Sequence, residues 1–79
     1  MNKVVSLTSL KAKEKSMVVN VEDFDEKLKF RLIELGFVKG ERVSVIYNDK
    51  NRKIMVVSVR CCAFAIDYNL AGKVMVYGV

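Results

Sequence analysis

The chain has 79 residues, 52% of them apolar, with 14 Lys and Arg against 9 Asp and Glu, for a formal charge of +5. That length is enough for one domain over 1–79 with one small core, and no apolar run approaches the ~18 residues of a membrane span. The opening MNKVVSLTSL lacks the long apolar stretch of a secretory signal, so a cytoplasmic location is expected.

In chain order, the first patterned segment is SMVVNV (16–21), where Met17, Val19 and Val21 alternate onto one face and predict a strand. A helix follows. Asp23 and, three residues on, Glu26 make a capping-box pattern, and Phe24, Leu28, Leu32 and Leu35 fall on one arc at 3.6 residues per turn. Gly36 stands where that helix must end, in the left-handed conformation that a C′ residue adopts. Phe37 and Val38 then supply the apolar contact that folds the chain back. Gly40 opens the turn into ERVSVIY (41–47), in which Val43, Val45 and Tyr47 alternate. The polar cluster NDKNRK (48–53) joins it to IMVVSV (54–59) as a long hairpin. CCAFAI (61–66) predicts another short strand, DYNLAG (67–72) a turn or one helical turn, and KVMVYGV (73–79) a closing strand bearing Val74 and Val76.

Basic residues gather at Lys11, Lys13 and Lys15, at Lys27, Lys29 and Arg31, and at Lys50, Arg52 and Lys53. Each group falls on a turn or the outer side of an element, which predicts a solvated surface more than a phosphate-tracking patch. Cys61 and Cys62 are adjacent, and neighbouring strand residues point to opposite faces, so no disulfide framework is expected. They read as two small residues in a strand, at least one of them buried; redox switching and soft-metal binding are the alternatives.

The stretch Leu28 to Val45, written L-x-x-R-L-x-E-L-G-F-x-x-G-x-x-V-x-V, resembles the signature of the FeoA family, ferrous iron transport protein A. SLTSLKAKEKSMVVNV (6–21) is similar to the family's opening, and VRCCAFAIDYNLAGKVMV (59–76) to its last strands, with Ala71 and Val74 in the usual apolar places. The chain departs from the pattern at Ala12–Lys13 and at Lys39, where Pro-Gly turns are usual. It departs again at Cys61, in place of a common glycine, and at Asp67, in place of a basic residue. The resemblance implies a mainly β fold, a small SH3-like partly open barrel of five antiparallel strands with one helix between the first and second. It also implies an accessory role in ferrous iron uptake, through contact with the cytosolic domain of the membrane transporter FeoB. Transition-metal binding comes with the resemblance, as does likeness to the regulatory domain of iron-dependent repressors.

The residues themselves argue against a tight metal site. Iron(II) and zinc draw on converging His, Cys, Asp and Glu. This chain has no histidine, and the acidic run Glu22, Asp23, Asp25 and Glu26 is the composition that caps a helix. No resident cofactor is expected, and iron(II) binding by the isolated chain should be weak or absent. With no histidine base and no phosphate-cradling glycine loop, no catalytic site is expected either. A nucleic-acid-binding barrel is a second reading, for which Tyr47, Arg52 and Lys53 are the nearest aromatic-basic grouping. A polyproline-binding SH3 groove would need more aromatics than three scattered tyrosines and no tryptophan.

Phe30 and Ile33 lie opposite the arc of Leu28 and Leu32, among Lys27, Arg31 and Glu34. Large apolar residues in that setting predict a contact surface of Phe30, Arg31 and Ile33, with Phe37, for FeoB or for weak association with a second copy. The competing expectations are that Val4, Val5 and Leu7 fold over this face, or that the exposure is incidental.

Overall fold

Among the described residues, fifteen buried apolar side chains form one core, and every strand but the first adds at least one of them. The computed structural model describes residues 3–22 and 25–77. Its elements are β1 (Val4–Ser6), a 3-10 turn (Leu7–Ser9), β2 (Lys15–Val21), α1 (Glu26–Leu35), β3 (Arg42–Asp49), β4 (Ile54–Val59), β5 (Cys62–Asp67), α2 (Tyr68–Ala71) and β6 (Val74–Tyr77). The strands make one antiparallel sheet in the order β1-β6-β2-β3-β4-β5, with β1 and β5 as open edges. The mainly β architecture and the helix ahead of the hairpin are as expected, and 67–72, expected as a turn or one helical turn, holds the short helix α2.

The sixth strand, β1, adds to the expected five. Val4, Val5 and Ser6 pair with Tyr77, Val76 and Met75 of β6. Leu7 drops into the core, fully buried. The N-terminal valines therefore do not cover α1, because the free edge of β6 offers their backbone hydrogen bonds that a helix surface cannot.

β2 is shared between two halves of the sheet. Lys15, Ser16 and Met17 pair with β3, whereas Val18, Asn20 and Val21 pair with β6, and the register shifts at Val19. An extra residue bends a strand and resets its alternation. Hence Val18 and Val21 are buried and Met17 is exposed, in place of the expected Met17–Val19–Val21 face. The same device acts in β3. Its register shifts between Val45 and Tyr47, so Tyr47 turns outward and Asn48 faces in beside Met55. There the Asn48 side-chain amide donates to the carbonyls of Thr8 (3.2 Å) and Leu10 (2.6 Å), and its oxygen accepts from the Tyr68 hydroxyl. This tie holds the N-terminal turn and α2 against the hairpin.

The start of α1 is capped by Asp25, whose carboxylate accepts from the N–H groups of Lys27 (2.9 Å) and Leu28 (3.5 Å). The expected cap Asp23 and the expected core residue Phe24 lie outside the described residues. Leu32 is fully buried and Leu28 half-buried, but Leu35, on the same arc, is 41% exposed. Phe37 takes the interior position instead. Gly36 adopts φ +113°, the Gly36 N–H reaches the carbonyl of Ile33 (3.0 Å), and the Phe37 N–H reaches that of Leu32 (3.1 Å). This is a Schellman closure, which turns the residue after the glycine back onto the helix. The Phe37 ring meets Phe64 edge-on at 5.8 Å between centroids.

Candidate functional site

The bulge in β2 and the Schellman closure of α1 together open a cleft between the helix and the sheet. Val19, Asn20 and Val21 form one wall, Lys29 and Ile33 of α1 the other, and Phe37, Val38 and Lys39 close the end, around about 270 Å³. Its interior is apolar and its charged lining residues are both lysines. A surface of this make-up suits an apolar side chain carried by an acidic segment, because burial of the apolar group drives contact and opposite charge at the rim orients it.

Of the expected contact residues, the cleft brings two together, Ile33 on its wall and Phe37 at its end. Phe37 is only 1% exposed, so it shapes the site from beneath instead of offering a free ring, as a consequence of the closure at Gly36. Phe30 is 62% exposed and sits one helical turn from Ile33, continuing the apolar surface beyond the rim. Arg31 is exposed but falls on a different side of the helix from Ile33 and does not line the cleft. Val19, Asn20, Val21, Lys29, Val38 and Lys39 are the members that sequence reasoning missed. Lysines next to apolar residues look the same in sequence whether they rim a cleft or solvate a helix.

A second concavity of about 280 Å³ lies at the hairpin, lined by Lys11, Ala12, Tyr47, Asn48, Asp49, Lys50 and Asn51. Here the aromatic-basic grouping is organised around a carboxylate. The Tyr47 hydroxyl donates to Asp49 (3.4 Å), the Arg52 Nε lies 3.9 Å from Asp49, and the N–H groups of Asn51 and Arg52 both donate to Asp49 at 3.0 Å. That carboxylate builds the turn, and it engages the tyrosine hydroxyl and the Arg52 side chain that a phosphate contact would otherwise use.

Among the described residues no group of three or more His, Cys, Asp and Glu converges on a metal position. Asp25 is engaged in capping, and the unusual Asp67 has a structural role of the same kind, accepting from the Leu70 N–H at 2.9 Å at the start of α2. Both cysteines are free and exposed, which corrects the expectation that one is buried. Cys61 belongs to the β4–β5 turn and not to the strand. No helix among the described residues is long and apolar enough to cross a membrane.

The comparisons with known proteins show the family and the fold. A family model for the FeoA domain matches residues 5–77. A crystal structure of an iron uptake regulatory protein, FeoA, superposes with a TM-score of 0.88 at 28% identity, covering 98% of this chain and all of that one. FeoA from Stenotrophomonas maltophilia complexed with zinc, described as a prokaryotic SH3 domain protein, gives 0.81 at 31% identity over 91% of this chain and 88% of that one. A manganese-dependent transcriptional repressor gives 0.88 at 13% identity, all of this chain covering 44% of that one, a likeness of fold alone. Sequence comparison with curated proteins finds no match.

Proposed function

We propose a role that proceeds from family membership: the chain belongs to the FeoA family, and it serves ferrous iron uptake as a small accessory protein that works by contact, not by catalysis. Its partner is the cytosolic domain of the ferrous iron transporter FeoB, which places the protein in the cytoplasm and, when bound, at the inner face of the membrane. The observation that carries this reading is the apolar cleft between α1 and β2 with Lys29 and Lys39 among its lining. Phe30 and Ile33 extend it into a surface of the kind that anchors interfaces, where large apolar side chains supply most of the energy. Arg31, on the shoulder of the helix, supplies a charged contact at the edge.

The test is the double change Phe30→Ser with Ile33→Ser. Both side chains are exposed, so the melting temperature should hold within a few degrees. Binding to the isolated cytosolic domain of FeoB, measured by calorimetry, should be lost. Undiminished binding by a folded double variant overturns the assignment of the surface, and absence of binding by the wild type overturns the assignment of the partner.

A further inference from the structure

The turn between β4 and β5 is a two-residue loop, since Val59 pairs directly with Cys62. Both loop residues have left-handed backbone, Arg60 at φ +52° and Cys61 at φ +64°. That is the type I′ geometry, whose strong preference is for Asn and Gly. Glycine would fit position 61 better than cysteine, and Cys61 gives the fold nothing in return: it is exposed, forms no disulfide and lies outside the core. Cys62, first residue of β5, is also exposed and free.

Two adjacent strand residues would point their thiols to opposite faces. The left-handed conformation at Cys61 interrupts that alternation, so the two sulfurs are not confined to opposite sides of the sheet. We propose that Cys61 and Cys62 together form a soft-metal site that takes copper(I) as a two-coordinate bis-thiolate. Thiolates select soft ions. Zinc prefers four protein donors in a closed site, and among the described residues no third acid, histidine or cysteine joins the pair in such a group. Copper(I) is satisfied by two. On binding, both S–H bonds give up their protons and two S–Cu bonds form, with no change of oxidation state. The complex carries one net negative charge.

The experiment is an oxygen-free titration of the reduced protein with copper(I) against bicinchoninate, followed by ultraviolet thiolate-to-copper charge transfer and by native mass spectrometry. Equimolar uptake by a monomer is expected. Cys61→Gly, which suits the turn and keeps the fold, and Cys62→Ser should each reduce affinity to that of an ordinary single thiol. Wild-type affinity in either variant, copper-bridged dimers, or no uptake in competition with bicinchoninate overturns the proposal.

Discussion

Left-handed backbone recurs among the described residues, at Lys13 and Lys53 as well as at two junctions that meet the need in different ways. The junction from α1 to β3 uses glycine twice, Gly36 at φ +113° and Gly40 at φ +90°, whereas the β4–β5 turn uses Arg60 and Cys61. At Gly36 the choice is forced from two sides. A β-carbon there would lie 2.8 Å from Cγ1 of the buried Val59, in addition to the conformational strain. At Gly40 only the backbone asks for glycine, because nothing lies within 4 Å of the missing β-carbon. At Cys61 the backbone makes the same request and goes unanswered. The difference separates a position where space and backbone together demand glycine from positions where left-handed strain alone is tolerated, as it is at Cys61 and likewise at Lys13, Lys53 and Arg60.

Substitutions can break that comparison, beginning with the residue that anchors the glycine junction. Leu32 is fully buried and its carbonyl receives the Phe37 N–H, so Leu32→Ala should destabilise by about 2–5 kcal/mol through lost burial and a cavity. In a domain of this size that is a large share of the total, and denaturant unfolding measures it. Gly36→Ala should follow closely, at about 2–4 kcal/mol, from left-handed strain and the encounter with Val59. Gly40→Ala isolates the strain and should cost about 1 kcal/mol, a melting shift of roughly 4–8 °C. A Gly40 variant as damaging as Gly36→Ala would mean that the space around position 36 is irrelevant. The smallest effect has the opposite sign. Cys61→Gly relieves the same strain but adds freedom to the unfolded chain, for a net gain of about 0.5–1 kcal/mol. A loss of stability there would show that Cys61 has a packing role after all.

The glycine junction was the most legible part of the chain. Helix period, glycine and the following Phe37 all agreed on one local geometry. What remained hidden shares a physical cause. Bulges at Val19 and next to Tyr47 shift register, and one inserted residue inverts every inward and outward assignment beyond it, so Met17 and Tyr47 were placed on the wrong face. β1 is only three residues long, too short for its alternation to stand out against neighbouring sequence. Leu35 carried the right period, but Phe37 was folded back into the interior, and no helical template contains a residue beyond the helix end. The candidate site was half visible for the same reason. Phe30 and Ile33 could be read from the helix, whereas Val19 and Lys39 joined them only once the chain had bent around both bulge and closure.

The division of β2 between its two neighbours bears on how the protein opens. Its first half is hydrogen-bonded to β3 and its second to β6, so neither half of the sheet can detach without stripping part of the same strand. Native-state hydrogen exchange should therefore find a single cooperative unit, with the slowest amides of β3 and β4 sharing one opening free energy with those of β6. The cleft draws one wall from Val19 to Val21 of that shared strand. A partner seated there should slow exchange throughout the sheet, well beyond the residues it touches.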